Sequence, residues 1–257
     1  MLDIAATIAL HFAVVLAIAA IAQVWRGHGI APAGARTNPA MQRVRFRPIM
    51  IGLGCTAVYW LALVLSGDLQ NQIPFTAGLN WNWAGKVVAI ATSLALVAAL
   101  PMLSARGVGL TWRQRPGSLR PALLVVAAIC ALSWGAEALV HDGTDTSLER
   151  LLYQATMPGI DEELFMRGIL LALMVQGFGP SRARADAPFG WAEWAVTFLF
   201  AAGHGLRVAD GALAFDPLVF ALTGTIGAGL AWLRQRTGSL VVPILAHNLV
   251  NLGNSFF

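Results

Sequence analysis

An all-α bundle of about eight membrane-crossing helices is the fold class this sequence predicts, and three observations carry that prediction. Hydrophobic residues make up 57% of the 257 residues and charged residues only 12%, against roughly 25% charged in ordinary soluble domains. Stretches of about 20 residues recur with almost no charge, long enough to cross a ~30 Å hydrocarbon core as helices. The basic residues between those stretches crowd into every other connection.

In chain order the spans fall near residues 4–25, 48–66, 84–104, 119–140, 160–178, 190–206, 215–234 and 239–256. Ala20 and Ala22 in the first span imitate a signal-peptide cleavage site, but only Asp3 precedes the apolar run and no basic segment does, so a retained span is expected. The Arg-, Pro- and Gly-rich linker from Arg26 to Arg47 has room for a short surface helix. The fifth span opens at Pro158 and Gly159, which are expected to stop whatever precedes them. Asp161 would cap the new helix, and Glu162 and Glu163 would favour its positive N-terminal dipole. The sixth and eighth spans each carry a His, and the eighth also carries Asn248, Asn251 and Asn254. No internal repeat stands out. Residues 1–140 thus form spans without a motif, residues 141–257 carry all the motifs, and the two are expected to pack as one membrane domain.

The odd connections hold Arg26, Arg36, Arg43, Arg45 and Arg47, then Arg106, Arg113, Arg115 and Arg120, then Arg182 and Arg184, then Arg234 and Arg236. The even ones hold only Lys86, Arg150 and Arg207. By the positive-inside rule the odd loops are cytoplasmic and both termini outside, as in a bacterial inner membrane. The net charge of +4 therefore reports topology rather than a nucleic-acid partner, since the cations sit in short loops and not on one face. The two cysteines, Cys55 and Cys130, lie inside apolar stretches and offer neither a disulfide framework nor a Cys-based zinc site.

A charge near the bilayer centre costs at least ~2.5–3.5 kcal/mol, so polar residues inside spans are functional candidates. Glu163 and Arg167 lie one helical turn apart and can pair, while Glu162, rotated about 100° around the helix, is left free. Phe200-Ala201-Ala202-Gly203-His204 ends the sixth span, and His247 and Asn251 share a face of the eighth. Taken singly, a cap, an interfacial His and an Asn bridging two helices would explain these residues. Two Glu, two His, an Arg and an Asn on three spans are harder to explain that way.

Their joint chemistry is hydrolytic. A carboxylate and an imidazole can deprotonate water, and a second imidazole with a carboxamide can stabilise the oxyanion formed when that water attacks an amide. No Ser or Cys accompanies either His at a nucleophile's spacing. The same Glu and His side chains could alternatively hold a zinc ion, and the residue types alone do not separate these two.

The patterns Glu-Glu-x-x-x-Arg (Glu162, Glu163, Arg167), Phe-x-x-x-His (Phe200, His204) and His-x-x-x-Asn (His247, Asn251), in this order over roughly residues 158–254, resemble the CPBP family of intramembrane proteases, also called the CAAX protease or Abi family. Arg236-Thr237-Gly238-Ser239-Leu240 and Pro243-Ile244-Leu245-Ala246-His247 extend the likeness through the last helix. The resemblance implies an intramembrane endopeptidase in which Glu162 and His204 activate water, His247 and Asn251 form the oxyanion site, and Glu163 and Arg167 support it. Because Asn suits an oxyanion role better than a zinc-ligand role, no cofactor is expected. Zinc on Glu162, His204 and His247 is the alternative. The expected partners are the lipid bilayer and a membrane-associated protein or peptide substrate, cleaved at a site opening outward. Two other readings compete: a non-catalytic self-immunity or membrane-binding protein, and a transporter, which would need a polar file through the whole membrane.

Overall fold

Without water to satisfy the backbone, apolar spans fold as helices, and they do so here at nearly the expected places. A computed structural model describes residues 2–27, 43–140, 144–179 and 189–257. The helices are α1 (Leu2–Gly27), α2 (Phe46–Leu65), α3 (Trp83–Ala99), α4 (Leu119–Val140), α5 (Leu148–Glu163), α6 (Leu171–Phe178), α7 (Trp191–Gly205), α8 (Pro217–Thr237) and α9 (Val241–Gly253). Stretches within α1, α2, α4 and α8 are long and apolar enough to cross a membrane, and α3 and α9 are shorter apolar helices. The chain is a helical integral membrane protein. The surface helix expected in the first linker lies largely outside the described residues.

Local chemistry fixes several ends. The side chain of Asn82 accepts from the Gly85 N–H at 2.9 Å to start α3. Asp216 accepts from the Val219 N–H at 2.9 Å, with Pro217 as the first residue of α8. Gly238, at φ 74, closes α8 in the left-handed conformation that favours glycine. Pro101 explains why α3 stops at Ala99, short of the expected 104, because the residue before a proline is driven from helical to extended geometry.

The fifth span departs from expectation. Pro158 and Gly159 do not end a helix: α5 begins ten residues earlier, capped by Ser147, runs through Pro158 and continues via a π-helical turn (Leu164–Leu170) into α6. Asp161 is therefore not a cap, and Glu162 and Glu163 do not sit in a first turn. The reason lies on α9. Proline removes a backbone donor and obstructs the turn before it, and the side-chain amide of Asn248 bridges that disturbed turn. Its Oδ1 accepts from the Gly159 N–H at 2.7 Å and its Nδ2 donates to the Thr156 carbonyl at 3.2 Å.

A two-stranded hairpin, β1 (Leu206–Ala209) and β2 (Ala212–Phe215), interrupts the all-helical pattern between α7 and α8. Asp210 and Gly211, both at positive φ, make its turn. Asp3 at the start of α1 accepts from the Asp210 and Gly211 N–H groups at 3.0 and 3.2 Å, and His11 bonds the Leu206 carbonyl at 3.0 Å. The first helix is thus pinned to the bundle. Ala22, part of the apparent cleavage site, is fully buried in the main core with Val15 and Ala19.

That core lies among α1, α2, α7 and the π turn, every residue of which is buried. A second cluster joins α4, α8 and α9. Outward faces carry exposed Leu16, Ile21, Val58, Leu94, Leu123 and Leu124, as lipid-facing helices should.

Helix α5 crosses α9 at Gly159, where an added Cβ would lie 2.5 Å from both the Ile244 carbonyl oxygen and Asn248 Oδ1. Replacing Gly159 with Ala is expected to destabilise the bundle by about 1–3 kcal/mol through overpacking. Gly54→Ala, whose Cβ would meet nothing within 4 Å, should leave the thermal unfolding midpoint in detergent nearly unchanged. Equal midpoints for the two variants would contradict the close crossing.

Candidate active site

Four helices meet around Glu163 and Arg167. Glu163 Oε1 accepts from Arg167 Nη1 at 2.8 Å, one turn along the same helix, and bonds His247 Nδ1 at 2.8 Å from α9. Arg167 is fully buried; its Nη2 donates to the Gly227 carbonyl of α8 at 3.1 Å, and its guanidinium lies 4.2 Å above the Phe200 ring of α7. Glycine at 227 allows that approach, since a Cβ there would stand 3.2 Å from Arg167 Nη2. The expected Glu163–Arg167 pair is present, and it also orients the imidazole of His247.

Glu162 points the other way round the helix, as its rotation requires, but it is not free. Lys86 Nζ, on α3, lies 2.8 Å from Glu162 Oε1 and 2.8 Å from Asp161 Oδ2. Tyr59 of α2 donates to the same Asp161 oxygen at 2.8 Å, and its ring stacks on Phe165 at 4.1 Å. Lys86 is therefore not the loop charge expected from the sequence but a buried cation in the first turn of α3. Asp161, read as a cap, is a fully buried member of the same cluster. The spans taken to be without a motif supply both Tyr59 and Lys86. A signal existed, because Lys86 is the chain's single lysine beside sixteen arginines and stands at the head of an apolar helix.

The remaining oxygen, Glu162 Oε2, faces both histidines, 4.0 Å from His204 Nε2 and 4.0 Å from His247 Nε2. His204 Nδ1 bonds the Phe200 carbonyl at 2.8 Å. A carbonyl can only accept, so Nδ1 carries the hydrogen and the Nε2 of a neutral His204 is an acceptor. The same logic holds for His247 against the Glu163 carboxylate. Both imidazoles are thus locked with Nε2 toward Glu162. A cavity of about 100 Å³, lined by Thr56, Tyr59, Glu162, Met166, Phe200 and His204, opens beside them; it has room for water molecules.

Glu162, Glu163, Arg167, His204 and His247 are thus brought together. Asn251, one turn beyond His247 on α9, is half-buried and joins none of these bonds; Asn248 is the asparagine that holds α5. A tetrahedral zinc bound at 2.0–2.1 Å would set its ligand atoms roughly 3.3 Å apart. The 4.0 Å separations are wider than that, and Glu162 Oε1 is already held by Lys86. The three side chains do not stand at zinc-ligand spacing here, and among the described residues no group of three or more His, Cys, Asp or Glu side chains is spaced to hold a metal ion.

The family model described as Type II CAAX prenyl endopeptidase Rce1-like matches residues 144–253, which contain every motif residue. The C-terminal region is thus similar to that endopeptidase family over residues 144–253. Neither the curated proteins nor the solved structures provide a match.

Lys86→Met removes the cation between Asp161 and Glu162, and an uncompensated buried charge costs about 3–5 kcal/mol. The expected outcome is a large fall in the unfolding midpoint, partly restored by adding Asp161→Asn. Additive effects of the two substitutions would show that they are not coupled.

Proposed function

We propose that this membrane protein, whose residues 144–253 match the CAAX prenyl endopeptidase family model, is an intramembrane endopeptidase working through glutamate-activated water. The observation that carries the reading is the convergence of Glu162 Oε2, His204 Nε2 and His247 Nε2 at 4.0 Å beside a cavity. A water between them donates one hydrogen to Glu162 Oε2 and the other to His204 Nε2. Its oxygen attacks the amide carbonyl, Glu162 takes the proton and delivers it to the amine as the C–N bond breaks, and an acid and an amine result.

The oxyanion needs donors. Because His247 Nδ1 already donates to Glu163, His247 can donate from Nε2 only as an imidazolium. Asp161, Glu162 and Glu163 outnumber Lys86 and Arg167 by one charge, so an imidazolium would bring the cluster to neutrality. Asn251, on the same face of α9, is proposed as the second donor. Lys86 anchors Oε1 and leaves Oε2 as the base; Glu163 and Arg167 hold His247. The mechanism needs no cofactor.

The charge rule supports a bacterial inner-membrane protein with both termini outside. With Lys86 recognised as a span residue, the even connections keep only Arg150 and Arg207. Lys86 stands in the first turn of α3 and His204 at the end of α7, helix ends that this topology puts outside. We therefore propose an outward-opening site acting on membrane-inserted or exported peptides.

Glu162→Gln keeps the shape and removes the base. It should lower cleavage by about 10²–10⁴-fold with an unchanged unfolding midpoint, read as membrane peptides that accumulate uncut in cells carrying the variant. Wild-type turnover would defeat the mechanism. Exhaustive chelation should leave cleavage intact, and loss of activity restored by zinc would make the protein a metalloenzyme. For orientation, single cysteines at Thr144 and at Arg115, in a chain lacking Cys55 and Cys130, should be respectively labelled and protected in intact cells exposed to an impermeant reagent. The opposite pattern would turn the site toward the cytosol.

A further inference from the structure

A second cavity lies at the other end of the bundle. Its volume is about 940 Å³, and it is walled by the connection between α3 and α4, the start of α6 and the turn between α8 and α9. Arg106, Arg113, Arg115, Arg167 and Arg234 line it, and among the described residues no carboxylate does. None of Arg106, Arg113, Arg115 and Arg234 forms an ion pair among the described residues. The bonds of Arg115 and Arg234 go to main-chain oxygens, Arg115 Nη1 to Gln235 and Arg234 Nη2 to Gly107, both at 2.8 Å.

Two of these guanidiniums are more than snorkelling loop charges. Arg234 is 8% exposed and Arg167 fully buried, and the Nε–H of each is buried without a hydrogen-bond partner. A buried donor left unpaired is costly, and cations gathered in one place repel. The walls are nonetheless firmly built: the Arg115 N–H donates to the Thr237 carbonyl at 2.8 Å and the Leu240 N–H to the Gly109 carbonyl at 3.0 Å. Four guanidiniums without an ion partner among the described residues, lining a hollow of this size, suit recognition of phosphate.

We propose that this cavity binds a phosphate-bearing anion. Trp112, beside the cavity and 87% exposed, is a residue type enriched where a membrane protein meets lipid headgroups. The phosphate is thereby offered from an anionic lipid as well as from solution. A bound anion also lies one residue from the Glu163 cluster, because Arg167 both lines this cavity and holds Glu163. The site does not depend on the protease reading.

The test uses the full chain in detergent and follows its unfolding midpoint. Inorganic phosphate and dihexanoyl phosphatidylglycerol are titrated separately, with potassium chloride at matched ionic strength and dihexanoyl phosphatidylcholine as controls. At least one phosphate probe should raise the midpoint saturably beyond both controls. A response to the glycerolipid alone would name a lipid headgroup as the source, and a response to both probes a free anion. Arg113→Gln and Arg115→Gln, at exposed positions, should each weaken the apparent affinity by about tenfold, the loss of one charge-assisted contact. The proposal is overturned if neither probe exceeds the controls, if phosphatidylcholine works as well as phosphatidylglycerol, or if both variants respond as the wild type does.

Discussion

A carboxylate taken out of water must be met by cations or donors, and the organisation of this bundle follows from meeting that requirement at Glu163. Its one bonded oxygen receives Arg167 from its own helix and His247 from α9, and Arg167 in turn reaches the main chain of α8 and the Phe200 ring of α7. Four helices are thereby placed by one anion and its partner. The imidazole orientation that the proposed chemistry needs comes from the same contacts, so stability and positioning are not separable here.

Next to it, Glu162 solves the same problem differently. It shares Lys86 with Asp161 and leaves its second oxygen toward two histidines and a cavity. Adjacent glutamates on a helix face different surroundings because each residue turns the side chain by about 100°. One becomes an internal strut and the other a partly accessible group. The irregular helix that carries them, with Pro158 before and a π turn after, belongs to this arrangement: π turns concentrate at functional sites, and Asn248 on α9 satisfies the turn that the proline disturbs.

Much of this was legible in the sequence. Length and apolarity located the helices apart from α5, whose first ten residues are too polar to stand out, since the membrane leaves the backbone no other way to satisfy itself. Helical spacing pointed to the Glu163–Arg167 pair, and the three motifs to a meeting of Glu162, His204, His247 and Asn251, of which Asn251 joins none of the cluster's bonds. The hairpin at 206–215 was readable from its Asp-Gly turn between short apolar runs; helical expectation on both sides hid it.

Only the tertiary structure decided which residues from outside the motifs complete the cluster. Lys86 and Tyr59 lie 76 and 102 residues from their carboxylate partners, and no periodicity links positions on helices that meet only through packing. It also reversed the reading of Asp161 and Pro158. By local rules they form a helix start, but the amide of Asn248 and the charge of Lys86, both brought in from other helices, stabilise an uninterrupted turn there. Asn248, not Asn251, holds the proline turn, a distinction of one helical face that only the crossing of α5 and α9 fixes. Sequence determines what each segment can satisfy within itself; groups that must be satisfied by another segment are assigned when the helices pack.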